Sequence, residues 1–584
     1  MTDSMNTAFG LADEAESPLL KPKLSLQTIT FSDGTTLSFD DDDIVVFVGP
    51  NNAGKSAALR ELEAWIARSQ EGVVVKSAEL KKTGSAADLM AYLQRHAQKS
   101  GTTGSVNFGG IGFSIHEPHI SFFDRQNDRH PVAPFFAKRL ATEDRISGSN
   151  PAPALALFQD PPTHPIHMLL MDETLATEIS GKFKHAFGMD LTVFRAGGSS
   201  YPLYTGQKPV LAQGKDELSR EFVTALQQSN VRLEIQGDGM RSFATVILHV
   251  LAAETHSIQF LDEPEAFLHP PQARLLGRYI AESRKSQSQL FIATHSSDIL
   301  DGLIEGGSNK VRIVRLRRDG DINRVKELSK EATARVAKDT LTRFSRVFDG
   351  IFFEHVIICE SDADCMFYQF LLNLPDISGN RRPDVLFVHT AGKHRMAKLV
   401  STLRSLDVPV SVIADIDIIN DEGVFKKLFE QLGGEWAQAQ PHWLAVSKDV
   451  VAQRPSLNTS QVVGMIEAEL DGVKGTGDFP QEKEMAIKRI FKSVSAWSSL
   501  KQSGRSAIRS GQPTSHYNQL DELCSNVGLW IVPEGEIEGF CRSIGSHGPA
   551  FVEKVLEEKD VAQDVELKAA RDFVAKIWGR ASPA

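Results

Sequence analysis

Two kinds of residue grouping in this chain could do chemistry: a glycine-rich loop able to wrap phosphates, and carboxylates set at the ends of apolar runs. Gly49–Ser56 (GPNNAGKS) fits G-x-x-x-x-G-K-S without a mismatch. Gly49 and Gly54, with Asn51 and Asn52 between them, let backbone N–H groups turn towards bound phosphate. Lys55 has the reach for β- and γ-phosphates, and Ser56 can hold Mg²⁺. In Ile258–Glu265 (IQFLDEPE) an apolar run ends in acids. Asp262 is placed to hold Mg²⁺, directly or through water, and Glu263 to polarise the water that attacks in line. The later run Leu290–Ser296 ends in His295, where a γ-phosphate sensor would sit. A second set of acids follows. Glu360 and Asp364 come after His355–Cys359, and Asp415 and Asp417 after Val408–Ala414. Gathered carboxylates are costly unless they bind cations, and hard oxygen donors suit Mg²⁺ or Mn²⁺. Two such ions about 4 Å apart could stabilise the attacking and leaving oxygens of a phosphodiester. Glu534–Glu538 could return a further ligand, Glu536 or Glu538.

These residues need elements to position them. Val45–Val48 reads as a buried strand, and Ala57–Leu62 continues as helix-forming sequence, which is the strand–loop–helix setting a phosphate loop requires. Leu24–Phe31 and Thr36–Phe39 read as a hairpin about Ser32-Asp33-Gly34. Gly237-Asp238-Gly239-Met240-Arg241-Ser242 opens an apolar helix, and a glycine-flanked helix start suits anion contact at Gly237 and Gly239. In the second half, Val385–His389 precedes Ala391-Gly392-Lys393. Strands alternating with helices predict a parallel sheet whose carboxyl edge gathers the acids. Weak signals over 71–231 read as an insertion, helical and suited to dimer contacts. Lys310–Lys326 reads as a hairpin about Asp319-Gly320 with seven basic and two acidic residues, a solvated face or a nucleic-acid contact. Glu331–Phe348 reads as a linker helix. A long insertion at about 440–525 carries a basic stretch, Lys483–Ser510, with Phe491 and Trp497 interleaved. Such a surface can track a phosphate backbone or be a solvated helix face. Lys554 is a candidate positive charge for the transition state.

The bulk numbers narrow the class. A chain of 584 residues exceeds one core, so two to four domains are expected. With 41% hydrophobic and 24% charged residues it has globular composition, and a net charge of −11 argues against wholesale coating of nucleic acid. Four cysteines (Cys359, Cys365, Cys524, Cys541) are too few for a disulfide framework, and no C-x-x-C pair exists for zinc. The acidic start MTDSMNTAFGLADEAESPLL is unlike a signal peptide, and no apolar run is long enough to span a membrane. A cytoplasmic protein is expected.

Phosphate loop, glycine-rich helix start, L-D-E-P and T-H-S, in that order, resemble the ABC-type ATPases, including their SMC and RecF branches. That resemblance implies a composite site, in which Gly237–Ser242 of one subunit closes over ATP held by the Lys55 loop of another. The segment departs from the transporter signature LSGGQ. The pattern E-x-x-x-D followed by D-x-D resembles the Toprim domain, with Ser361 where a glycine is usual. Both in one chain, with a helical insertion before the last acidic motif, resemble the OLD (overcoming lysogenization defect) family, which includes the nuclease subunit of Gabija-type antiphage systems. The resemblance covers about 24–70, 232–318 and 350–555. It implies an α/β chain: a mobile tail over 1–22, an ABC-type (RecF/SMC-like) ATPase domain over 23–345 with its inserted helical, dimerising segment, and a Rossmann-like Toprim nuclease domain over 346–584. It further implies a nucleotide-regulated, metal-dependent DNA endonuclease or nickase, a homodimer or larger homo-oligomer, acting in antiphage defence with a partner from a neighbouring gene. The alternative is a RecF-like DNA-sensing or repair ATPase whose Toprim domain does not cut. A primase- or topoisomerase-type site is a third reading. A topoisomerase needs a nucleophilic tyrosine near its metals, and only Tyr368 and Tyr517 lie beyond residue 350.

Overall fold

The computed structural model describes residues 20–581 except 103–104, 157–158, 212, 253–255, 283–287, 308–309, 329–332, 334–346, 380–381, 391, 454–458, 472, 474–477 and 494–495. The tail expected at 1–22 therefore lies outside the described residues up to residue 19, as does nearly all of the expected linker helix Glu331–Phe348. The chain divides into two compact units, Met1–Lys338 and Asp339–Ala584.

The first unit is built on a six-stranded sheet. Its strands are β1 (Ile44–Val48), β2 (Ala137–Leu140), β3 (Ile258–Asp262), β4 (Gln289–Ala293), β5 (Val311–Asp319) and β6 (Ile322–Leu328), in the order β6-β5-β1-β4-β3-β2. All neighbours are parallel except the β5–β6 hairpin. Every residue of β1 and β4 is buried, as unbroken apolar runs in a parallel sheet demand. The phosphate loop therefore leaves the carboxyl end of a central strand and enters α1 (Lys55–Arg68). The expected N-terminal hairpin forms, Lys23–Phe31 pairing antiparallel with Thr36–Ser38.

Segment 71–231 is mixed α/β rather than the wholly helical insertion expected from sequence, with helices such as Glu173–Phe187 beside its strands. It supplies β2 to the central sheet, the strand Val75–Thr83 that pairs with Lys23–Phe31, and a three-stranded antiparallel sheet of Gln98–Thr102, Ser105–Gly110 and Phe113–His116. In two of its strands a single apolar residue, Phe108 or Ile115, is buried among less buried neighbours, whereas a helical stripe recurs every three or four residues. It also holds helices, among them α2 (Thr142–Ser147). Beyond it, α3 (Asp238–Ile247) starts at Gly237 as the sequence predicts.

The second unit holds a four-stranded, wholly parallel sheet: β7 (His355–Cys359), β8 (Val385–His389), β9 (Val410–Ala414) and β10 (Leu529–Ile531), in the order β8-β7-β9-β10. Helix α4 (Asp362–Leu372) follows β7, and α5 (Met396–Ser405) joins β8 to β9. Between β9 and β10 the insertion is helical, as expected, and includes α6 (Ala496–Ser503).

Each unit buries a histidine with a measurable consequence. His256 lies against the Phe135 carbonyl and His355 against the Ser411 hydroxyl, and burial depresses each ring from its ordinary value near 6.5 to about 4. As pH falls below 6.5 the unfolded chain takes the proton first, so stability declines until the folded ring titrates near 4. At about pH 5 each histidine should have cost its unit roughly 2 kcal/mol. Urea midpoints at neutral and acid pH should show the drop, and His355→Leu should shrink it in the second unit.

Candidate functional site

At the carboxyl edge of the first sheet, close packing shapes the phosphate loop. Gly49 has φ +139, and a Cβ there would lie 2.1 Å from the Leu316 carbonyl oxygen of β5. Gly54 has φ +94, with the Asn323 amide 2.8 Å from where a Cβ would stand. Asn323, from β6, donates from Nδ2 to the Ala53 carbonyl at 2.7 Å. Both glycines are thus required by sterics, and the β5–β6 hairpin acts as a brace for the loop. The basic residues of that hairpin are largely engaged: Arg312 with Asp43 and Glu327, Arg324 with Asp319, while Arg315 is buried. This favours the solvated or structural reading over a nucleic-acid contact.

Lys55 Nζ donates to the Gly49 and Pro50 carbonyls at 2.8 and 2.9 Å, inside the loop that would receive phosphate. Asn51 and Asn52 are exposed on it, Asn52 at φ +62. Ser56 Oγ donates to Asp262 Oδ1 at 2.7 Å, which joins the two expected Mg²⁺ ligands. His295 Nδ1 stands 3.4 Å from Glu263 Oε1 and 3.7 Å from Glu265 Oε1. Glu265 is buried, accepts from the Thr294 hydroxyl at 2.7 Å and the His295 N–H at 3.2 Å, and is pushed up by burial. It holds the strand end together, while Glu263, half-buried at φ +49, faces outward beside the histidine.

Sequence reasoning missed Arg145. It is fully buried on α2, donates from a terminal nitrogen to the Asp262 carbonyl and from the other to Thr142 Oγ1 at 3.0 Å, and faces the Asp262, Glu263 and Glu265 carboxylates. The same short stretch receives Arg241 of α3, which donates to Ser149 Oγ and the Ile146 carbonyl, each at 3.0 Å. Helix α3 and the acidic strand end are therefore tied through residues 142–149. Gly237 has open space about it, and a Cβ at Gly239 would meet the Phe267 carbonyl at 2.7 Å. Arg145→Ala would leave the Asp262 carbonyl and the Thr142 hydroxyl without their partner and should destabilise the first unit by about 1–3 kcal/mol. Urea denaturation checks this, with Arg145→Lys expected in between.

The sequence pattern has counterparts among known proteins. Residues 44–301, less than half of the chain, match a family described as "AAA domain, putative AbiEii toxin, Type IV TA system". The first unit carries a nucleotide-binding ATPase domain. Among solved structures the chain is similar to the SMC head bound to the C-terminal winged-helix domain of ScpA, at 11% identity and TM-score 0.32, covering 52% of this chain and 97% of that one. It is also similar to the SMC head domain from Thermotoga maritima, at 11% identity and TM-score 0.28, covering 53% and 100%. A third is the SMC head with an extended coiled coil bound to ScpA derived from Pyrococcus furiosus, at 11% identity and TM-score 0.30, covering 54% and 98%. No curated protein matches the chain.

In the second unit the carboxyl ends of β7 and β9 bring Glu360, Asp415 and Asp417 together, with one oxygen from each lying within 4.8 Å of the others. Among the described residues, Glu360 Oε1 and Asp417 Oδ1 are buried without a hydrogen-bond partner. Burial, with the Asp417 carboxylate beside it, pushes Glu360 up to about 7, and burial holds Asp415 well above the usual carboxylate range. The donor set is all oxygen and crowded, with two oxygens unpartnered, which fits a hard divalent cation. Asp364 is not in this triad. Its Oδ2 accepts the Ser361 N–H at 2.9 Å, while Ser361 Oγ accepts the Asp364 N–H, so the pair caps α4. Ser361 has φ −127, so no glycine is needed there. Glu536 and Glu538 gather with His547 in a separate group.

Two lysines complete the cluster. Lys393 Nζ lies 3.2 Å from Asp417 Oδ2, and Lys501 Nζ lies 2.7 Å from Asp415 Oδ2 and 3.5 Å from Glu536 Oε2. Lys501 belongs to the stretch read as a DNA-facing basic surface. Within that stretch Lys483 also pairs with Glu469, Lys488 with Glu484 and Arg509 with Asp449. Trp497 is half-buried, and the side chain of Phe491 lies outside the described residues. Lys554 is exposed on the helix Pro549–Glu558, and among the described residues no ion pair joins it to the acids. Tyr368 and Tyr517 are both buried, with burial pushing each phenol up, so neither offers an accessible nucleophile of the topoisomerase kind.

Proposed function

We propose that the chain is a nucleotide-regulated, metal-dependent DNA endonuclease or nickase. The observation that carries this reading is the Glu360–Asp415–Asp417 cluster, with two buried carboxylate oxygens left without partners on one sheet edge. A divalent ion bound there would polarise the scissile phosphate and supply a water ionised near neutral pH. Glu360, Asp415 and Asp417 would hold the ion, with Glu536 and Glu538 nearest to a second position. Asp364 acts through the start of α4 by fixing the turn that presents Glu360. In the first unit Lys55, the loop amides, Ser56 and Asp262 would bind ATP and Mg²⁺. Glu263 would take the proton of the attacking water, and His295 would contact the γ-phosphate. Closure of Gly237–Ser242 of a second copy over that nucleotide would make the dimer ATP-dependent. The OLD-type resemblance extends the proposal to antiphage defence with a neighbouring-gene partner.

Supercoiled-plasmid cleavage with Mg²⁺ or Mn²⁺, with and without ATP, tests the reading. Metal-dependent nicking that disappears in Glu360→Ala is expected, and Lys55→Ala reports whether nucleotide licenses or restrains it. ATP-dependent DNA binding with no nicked product under any condition would instead support a RecF-like DNA-sensing ATPase. The Lys501 ammonium favours that second reading to one extent, because it supplies counter-charge to the acids without any metal.

A further inference from the structure

The acid cluster has two unlike halves. On one side Glu360, Asp415 and Asp417 converge, and among the described residues Glu360 Oε1 and Asp417 Oδ1 have no partner, Lys393 taking the Oδ2 side of Asp417. On the other side the gap between Asp415 Oδ2 and Glu536 Oε2 is filled by the Lys501 ammonium, at 2.7 and 3.5 Å.

Lys501 is held there by the backbone. The Lys501 carbonyl lies 1.9 Å from where a Cβ on Gly535 would stand, and the Pro533 carbonyl 2.3 Å from the same point on Gly504. Gly535 has φ +102 and Gly504 φ +62, so both positions call for glycine twice over. The Arg505 N–H donates to the Pro533 carbonyl at 2.8 Å, and the Ile416 N–H to the Gly535 carbonyl at 3.0 Å. The end of α6, the loop carrying Glu536 and the turn carrying Asp415 are thus one clamped assembly.

Resting on the metal-centre reading above, we propose that Lys501 is a built-in competitor for the second divalent ion of this centre. The first ion enters the open Glu360–Asp415–Asp417 side. A second can share Asp415 and Glu536 only when the ammonium leaves, because like charges cannot occupy one carboxylate gap. Lys501 is about one-third exposed, so its side chain has solvent to swing into. Loading of the second ion is then tied to α6 and to the helical insertion that carries it.

The test is Mn²⁺ binding to the nucleotide-free full chain, followed by the electron paramagnetic resonance of free ion, for the unmodified protein, Lys501→Met, Lys501→Arg and Glu360→Ala. The unmodified protein should bind one ion tightly, through a site lost in Glu360→Ala, and a second more weakly. Lys501→Met should tighten the second site by about tenfold or more while the first stays within about twofold, and Lys501→Arg should keep the second site weak. A second-site affinity equal in the unmodified protein and Lys501→Met overturns the proposal and leaves the metal centre standing. The absence of any Glu360-dependent Mn²⁺ site overturns both.

Discussion

Asp415→Asn should abolish DNA cutting, by about a hundredfold or more, while ATP affinity stays within about twofold. Asp415 belongs to both halves of the second unit's cluster. It shares the triad with Glu360 and Asp417, and its Oδ2 receives Lys501. Asparagine keeps the shape but removes the charge that would hold a cation, and it leaves the Lys501 ammonium facing Glu536 alone. ATP binding should be spared because its candidate ligands, Lys55, Ser56 and Asp262, belong to the other compact unit. Plasmid nicking and labelled-ATP binding on the same preparation check the two halves. Equal loss of both would mean that the two sets of acids serve one site, and the two-centre reading would fail.

Some of this arrangement was open to reading in the residues, and some was not, for reasons of distance along the chain. The phosphate loop, Asp262, Glu263 and His295 each follow a short apolar strand, and local order is enough to place them on one sheet edge. The same logic places Glu360, Asp415 and Asp417 at the carboxyl edge of the second sheet. Arg145 could not be found that way. It lies on a six-residue helix with no motif, and its partner Asp262 is 117 residues on. Lys501 was missed, since nothing local marks it out among the other basic residues of Lys483–Ser510 and its partner Asp415 is 86 residues before it. The region 71–231 was harder to read because two of its strands have partners far along the chain, Val75–Thr83 with Lys23–Phe31 and β2 with β3, and such pairings are not written in local periodicity. Asp364 shows a local rule competing with a distant one. The S-x-x-D spacing of Ser361 and Asp364 is also a helix cap, and the cap claims the carboxylate.

Glu263→Gln should lower ATP hydrolysis by about a hundredfold or more, with nucleotide binding nearly unchanged. Two neighbouring glutamates compete for the role of base, and their surroundings separate them. Glu265 is buried and accepts from both Thr294 Oγ1 and the His295 N–H, so it is committed to holding the turn. Glu263 is half-buried, and its φ of +49 turns it towards His295 Nδ1 at 3.4 Å. A non-glycine residue in the left-handed region costs on the order of 1 kcal/mol, and such strain persists where the surrounding packing fixes it. Glutamine matches glutamate in size and can still hydrogen-bond, yet it cannot take a proton, so the loss should fall on the chemical step alone. Single-turnover phosphate release compared with ATP affinity separates the two. If composite sites close over ATP, the variant should also accumulate as an ATP-bound dimer on gel filtration. Hydrolysis within about threefold of the unmodified rate would remove Glu263 from the role. Because Arg145 faces both glutamates from α2, weak hydrolysis that remains in Glu263→Gln should fall further in Glu263→Gln/Arg145→Lys only if the guanidinium also orders the water site.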